Sequence, residues 1–149
     1  MRAAIALALA AALVVVAGCG RKEPGAAPPG EANPEAEAAA LAAAQAWLRL
    51  VDAGRYAESW DQAAEYFKGA VPCDQWGRTL EAVRGPLGDV ADRQVAGTRY
   101  ATALPGAPDG RYVVVQFRTR FEKKQSAVET VTPMCEMDGT WRVSGYYIK

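Results

Sequence analysis

The sequence predicts an α+β fold, in which two to three N-terminal helices pack on a curved four-stranded antiparallel meander. Between residues 33 and 84, apolar residues recur at every third or fourth position, as they do along one side of an α-helix. From Arg93 onward they tend to alternate with polar residues, as they do in half-buried strands. A run of helices followed by a run of strands is the order expected for this class.

The first helix is predicted to begin at Pro34 and to end before Gly54. Asn33 is a residue type that caps helix N-termini, and proline is favoured at the first helical position. Glycine favours the left-handed conformation that commonly follows a helix. A second helix is expected from Tyr56 to Phe67, and the short connection between the two predicts an antiparallel pair.

A third, shorter helix is predicted to open at Pro72. Its apolar side is expected to carry Trp76, Leu80 and Val83. The Gly- and Pro-rich stretch 85–88 then ends it.

Four strands are predicted after the helices, over residues 93–104, 111–121, 126–137 and the stretch that follows the Asp138-Gly139 turn. Pro133 has no N–H to donate, which argues for an edge position or a bulge at that point. Two-residue turns at Lys123-Lys124 and Asp138-Gly139 would pair Phe117 with Thr130, Thr130 with Tyr147, and Met134 with Val143. One face of the sheet would then collect Val113, Val115, Phe117, Val128, Met134, Trp141, Val143 and Tyr147.

The N-terminus predicts export and lipid attachment. Arg2 is followed by an apolar run, residues 3–16, whose length is typical of a secretory signal peptide rather than a membrane-spanning helix. Residues 16–19, Val-Ala-Gly-Cys, resemble a bacterial lipobox, which implies a signal peptide over 1–18 and a diacylglyceryl group on Cys19. The alternative is an ordinary signal peptide with an incidental cysteine. Gly20 stands where enteric-type lipoproteins retained in the inner membrane have Asp, so the resemblance implies the outer membrane, facing the periplasm.

Composition sets the domain organisation and excludes some partners. Residues 19–35 contain mostly Ala, Pro, Gly and Glu and should form a flexible tether, which leaves 36–149 as a single α+β domain. Lys plus Arg and Asp plus Glu both number 17, so no basic excess points to nucleic acid. The sequence has no His, and we expect no catalytic residue set, metal or cofactor.

Three segments, residues 47–56, 104–110 and 141–147, resemble the bacterial family called domain of unknown function 4019. The resemblance covers about residues 39–149. The order of elements is similar to that of cystatin-like or nuclear-transport-factor-2-like cones, in which a curved sheet wraps helices around a possible pocket. The family implies an envelope address but no reaction.

Cys73 and Cys135 remain once Cys19 is acylated, an even pair in an oxidising compartment. A disulfide between them would join the third helix to the third strand; the alternative is two free thiols. Under the two-residue turn Cys135 lies on the polar face, whereas a three-residue turn with Gly139 in a bulge would move it to the face of Trp141.

Arg118 and Glu129 lie directly opposite each other in the predicted register, so a cross-strand ion pair is expected. The alternative makes Glu129 a carboxylate in a pocket. Aromatic residues at helix and strand spacings are expected in the core, or else around a cavity between helices and sheet: Trp47, Trp60, Trp76, Tyr100, Phe117, Trp141 and Tyr147.

Three kinds of function fit this sequence. The first is a lipid-anchored, non-catalytic envelope module that binds another envelope protein or a small apolar ligand. The second is a structural or assembly protein that forms homo-oligomers through a sheet face or edge strand. The third is an enzyme that uses a pocket carboxylate such as Glu129 or Asp92 with a tyrosine, since no histidine is present.

Overall fold

The computed structural model describes residues 31–149, which form helices followed by an antiparallel sheet. No helix within this range is long and apolar enough to cross a membrane. The predicted signal peptide and Cys19 lie outside the described residues, as does the tether up to residue 30. The elements are α1 (Pro34–Asp52), α2 (Tyr56–Asp61), α3 (Glu65–Ala70), α4 (Cys73–Arg84), a 3₁₀ turn (Gly85–Leu87), β1 (Val90–Ala101), β2 (Arg111–Phe121), β3 (Lys124–Cys135) and β4 (Trp141–Ile148).

Helix α1 begins and ends at the predicted residues. The Asn33 side chain accepts a hydrogen bond from the Ala36 N–H at 3.1 Å, and the Glu37 carboxylate accepts one from the Asn33 N–H at 3.3 Å. This reciprocal pair satisfies donors that a helix start would otherwise leave open. At the other end Gly54 takes a φ of 70°, the left-handed conformation that glycine adopts without strain. The helix therefore includes Pro34 and Glu35, the last two residues of the predicted tether.

The single second helix predicted over 56–67 is wrong, because the chain breaks there into α2 and α3. Ala64 is extended, with a ψ of 148°, and its N–H donates to the Val143 carbonyl at 2.8 Å. Ala63 and Ala64 are fully buried, and their small side chains let the backbone approach β4 this closely. A hydrogen bond to the sheet thus replaces one turn of helix.

The four strands form one antiparallel sheet in the order β1-β2-β3-β4, and the helices cover one of its faces. The predicted α+β class is confirmed. The core between helices and sheet is made of large apolar side chains from both layers: Trp47, Leu48, Val51, Phe67, Trp76, Leu80, Val113, Val115, Phe117, Val131 and Val143. Val83 does not belong to it, since 42% of its surface is exposed.

The predicted register between β2 and β3 is wrong by one residue. Phe117 lies opposite Glu129 rather than Thr130, and the turn consists of Glu122 and Lys123. The turn begins early because both of its N–H groups are used: Glu122 donates to the Asp89 carbonyl and Lys123 to the Leu87 carbonyl, each at 2.9 Å. A one-residue shift exchanges the two faces of a strand. Glu129 and Val131 consequently point to the helices, while Val128 and Met134 do not.

The pairing of β3 with β4 follows the prediction at one end only. Thr130 lies opposite Tyr147, as expected, but Pro133 rather than Met134 lies opposite Val143. Between these points β4 carries an extra residue, Ser144, whose hydroxyl donates to the Thr132 carbonyl at 2.7 Å. The irregularity predicted from Pro133 is therefore a bulge, and β3 is a central strand.

Candidate functional site

A cluster of buried and partly buried polar side chains lies where the C-terminal ends of α1 and α4 meet the sheet. We call it the ion cluster. Its members come from six elements: Asp52 (α1), Arg84 (α4), Arg93 (β1), Thr119 (β2), Glu129 (β3) and Tyr146 (β4). Two arginines and two carboxylates balance in charge, and every strand of the sheet contributes one residue.

Glu129 is the centre of the ion cluster and is fully buried. Its Oε2 accepts hydrogen bonds from Arg93 Nε at 2.6 Å and from the Thr119 hydroxyl at 2.5 Å. Its Oε1 accepts from the Tyr146 hydroxyl at 2.6 Å, with Arg93 Nη2 at 3.2 Å and Arg84 Nη1 at 3.4 Å. Both oxygens are therefore occupied by donors of the protein itself, as a buried carboxylate requires.

Asp52 joins the two arginines on the solvent side of the cluster. Arg93 approaches it with two nitrogens, at 2.6 and 2.9 Å, and Arg84 Nη2 lies 2.7 Å from its Oδ1. Burial alone would raise the pKa of Asp52, but the hydrogen bonds from Arg93 and Arg84 hold it below its ordinary value. Burial alone would lower the pKa of Arg93, but the carboxylates of Asp52 and Glu129 raise it. Asp52 and Arg93 thus stay charged at neutral pH.

Tyr146 stays protonated and uncharged, because its surroundings raise the pKa of its hydroxyl. Burial, and next the negative charge of Glu129, raise the pKa of its hydroxyl. It donates to Glu129 and lies 3.1 Å from Arg84 Nη1. A hydroxyl that stays protonated is a poor general base. The geometry of the cluster therefore suits holding helices and strands together better than transferring a proton.

The predicted ion pair between Arg118 and Glu129 is wrong. In the observed register Arg118 lies opposite Val128, and it points away from the helices. Glu129 is a fully buried carboxylate bound by arginines that sequence reasoning missed, rather than the carboxylate in a pocket that the alternative proposed. One pattern could have found Arg84: it continues the i, i+4 series of Trp76 and Leu80, and its side chain is only 6% exposed.

Cys73 and Cys135 are free thiols, so the predicted disulfide is wrong for this structure. The three-residue turn at residues 137–139, with Gly139 at a φ of 82°, places Cys135 opposite Trp141. There the Cys135 sulfur lies 2.8 Å from Arg111 Nη2, at the end of the sheet. The sulfur thus meets a guanidinium from the neighbouring strand instead of Cys73.

Most of the predicted aromatic residues are core residues. Trp47, Trp76 and Phe117 are buried, while Trp60, Tyr100 and Trp141 are partly buried against them. The indole N–H of Trp47 donates to the Ser59 carbonyl at 2.7 Å, and that of Trp76 lies 3.0 Å from the Ser59 hydroxyl. Tyr147 is the exception, 49% exposed, because the bulge at Ser144 turns Tyr146 inward in its place.

An open cleft of about 720 Å³ lies at the opposite end of the sheet from the ion cluster. We call it the hairpin cleft. The β3–β4 turn, the start of α3 and the loop before β2 form its walls, with lining residues Glu65, Tyr66, Asp109, Gly110, Arg111, Met134, Cys135, Glu136, Met137 and Asp138. The Met137 side chain stands wholly in solvent at the tip of the turn. No cluster of three or more potential metal ligands occurs in residues 31–149.

The fold and these sites define a small α+β domain with helices on one face of a four-stranded meander and no assigned reaction. The model of the family described as "Protein of unknown function (DUF4019)" matches residues 43–146. The chain belongs to this family, as its resemblance predicted. Comparisons with curated proteins and with solved structures return no match, so the cone-like fold stays a prediction.

Proposed function

We propose that the protein is a lipid-anchored envelope protein whose folded domain is a non-catalytic binding module. Anchoring rests on the lipobox-like residues 16–19, with the lipid on Cys19 and Gly20 favouring the outer membrane. The single observation that carries the binding role is the hairpin cleft, an open concave surface with exposed apolar side chains. The saturated hydrogen bonding of Glu129 argues against the enzyme alternative.

The partner we propose is a polypeptide segment of another envelope protein with apolar and basic side chains. Tyr66 and Met137 offer exposed apolar surface, and methionine adapts to irregular partners because its side chain is flexible and polarisable. Four carboxylates line the cleft, at Glu65, Asp109, Glu136 and Asp138. Lys68 pairs with Glu65, and Arg142 pairs with Glu136 and Asp138, which leaves Asp109 outside the ion pairs of the described residues. Charges of this sign steer and orient a cationic partner.

Photo-crosslinking in cells tests the binding role. A photoreactive residue at position 137 should give a discrete adduct with one envelope protein. The same residue at Val83, which is 42% exposed on α4, serves as the control for random contact. Asp109→Asn should weaken the adduct, while the matched change Asp74→Asn on α4 should not. Equal labelling from positions 137 and 83 would refute the cleft, and an adduct with a second copy of the chain would favour the assembly role.

Mass spectrometry of the mature N-terminus tests the anchor separately. The expected species begins at Cys19 and carries the diacylglyceryl group on its thiol. Each buried methylene contributes about 0.8 kcal/mol to membrane binding, so a multiply acylated chain stays attached. An unmodified N-terminus at another residue would overturn the anchor and leave the proposed role of the cleft standing.

A further inference from the structure

The sheet has a second face, away from the helices, on which positive charge is collected. We call it the outer face. Arg118 and Arg120 of β2 and Arg99 of β1 lie on it, as the alternation of buried and exposed positions requires. Asp92 is the one acidic residue among the strand positions that face this way within residues 31–149.

The two arginines of β2 on the outer face make no ion pair within residues 31–149. Arg118 and Arg120 are exposed, and neither belongs to an ion pair of the described residues. The whole chain has equal numbers of basic and acidic side chains, so this patch does not follow from an overall excess. The acids are instead concentrated elsewhere, four of them at the hairpin cleft. A segregated positive face is complementary to an anionic surface.

Tyr147 and Val128 give the outer face the remaining features of a headgroup contact. Both are exposed, at 49% and 37%; Val128 lies opposite Arg118, and Tyr147 lies one strand further along, opposite Thr130. The Lys149 ammonium lies 5.5 Å from the centre of the Tyr147 ring. Tyrosine is favoured at membrane interfaces, where its ring meets the acyl boundary and its hydroxyl the headgroups.

The point of attachment lets this face reach the membrane. The Glu37 carboxylate in the first turn of α1 accepts a hydrogen bond from the Thr98 hydroxyl at 2.5 Å, so the chain enters the domain beside β1. The 15 residues from Cys19 to Asn33 span at most about 50 Å when fully extended. Strand β1 is an edge of the sheet and borders the outer face.

We infer that the outer face docks on anionic phospholipid headgroups, with Arg118 and Arg120 as the main contacts. This inference rests on the proposed lipid anchor and adds an orientation to it. With the sheet on the membrane, the helices point away from the lipid and the hairpin cleft remains open at the side. A basic residue near an anionic leaflet changes a docking equilibrium by about fivefold, so the two arginines together account for about twenty-fold or more.

Oxidative footprinting of the lipidated protein on vesicles tests this orientation. The acyl groups attach the protein to any vesicle, so only protein that floats with lipid is analysed, and failure to float would count against the anchor alone. Vesicles of phosphatidylglycerol and phosphatidylcholine in equal parts are compared with pure phosphatidylcholine. On the anionic vesicles we expect oxidation of Tyr147 to fall about fivefold or more, while Met137 at the hairpin cleft stays fully reactive.

The double change Arg118→Gln and Arg120→Gln should restore oxidation of Tyr147, and so should high salt. The double change Arg49→Gln and Arg78→Gln removes the same charge from exposed helix positions and should leave the protection unchanged. Equal oxidation of Tyr147 on both kinds of vesicle would overturn the proposal. Protection that appears on neutral vesicles only after an acidic polypeptide is added would overturn it too, and would assign the face to a protein partner.

Discussion

Replacing Glu129 by glutamine tests whether the ion cluster is structural. The change keeps the shape of the side chain but removes the charge that Arg84 and Arg93 share. Five donor atoms lie within 3.4 Å of its oxygens, and Arg84 is only 6% exposed. Removing one partner of a buried ion pair costs about 3–5 kcal/mol in free energy of unfolding. Because Asp52 still faces both arginines, we expect the lower end, about 3 kcal/mol.

Urea unfolding followed by tryptophan fluorescence measures this loss, since Trp47 and Trp76 are buried beside the cluster. With a slope of about 2 kcal/mol per molar urea, the midpoint should fall by about 1.5 M. Glu58→Gln is the matched control, because Glu58 pairs with Arg55 in solvent and should change stability by less than about 0.5 kcal/mol. A loss below about 1 kcal/mol for Glu129→Gln, with an unchanged slope, would refute the structural role and favour a functional carboxylate.

Three further perturbations have defined outcomes. The pKa of Asp52 is lowered in the folded state, so its contribution to stability is present above its ordinary value of 3.8 and is lost as pH falls below it; acid unfolding should be shallower in Asp52→Asn. Gly88→Ala should cost about 1–2 kcal/mol in thermal unfolding, because Gly88 has a φ of 74° and a Cβ there would lie 2.7 Å from Glu122 Oε2, whereas Gly77→Ala in α4 should stabilise by up to about 1 kcal/mol. The Thr130 hydroxyl is buried without a partner in the described residues, so Thr130→Val should raise the urea midpoint by an amount equivalent to about 1 kcal/mol.

Local chemistry predicted some limits of the helices and strands, although β1 and β3 begin and end two or three residues before the predicted ranges. The cap at Asn33, the stop at Gly54 and the limits of β2 all depend on neighbouring residues and were found. The break between α2 and α3 was missed, because it depends on a hydrogen bond from Ala64 to a strand far along the chain. Helix propensity depends on neighbouring residues, so it does not report a hydrogen-bond partner that the tertiary fold supplies.

The register of β3 was missed for the same reason. The turn is positioned by hydrogen bonds to the segment before β1, which no pattern within the hairpin records. The ion cluster then follows from the register and could not be predicted without it. Arg93 and Glu129 are 36 residues apart, and ordinary alternation places a glutamate on the solvent face.

The ion cluster itself helps to select the observed register. A shift of one residue would exchange the faces of β3, moving Val128 inward and Glu129 into solvent. Burial of apolar side chains discriminates weakly between the two arrangements. The observed one buries Val131 and exposes Val128, and the shifted one would do the reverse. In the shifted arrangement Arg84 would keep its place against the Phe121 ring but would lose the Glu129 carboxylate, and a buried guanidinium short of partners is strongly unfavourable. The cost of breaking this network therefore disfavours the alternative pairing, in the way that single buried polar groups fix register elsewhere.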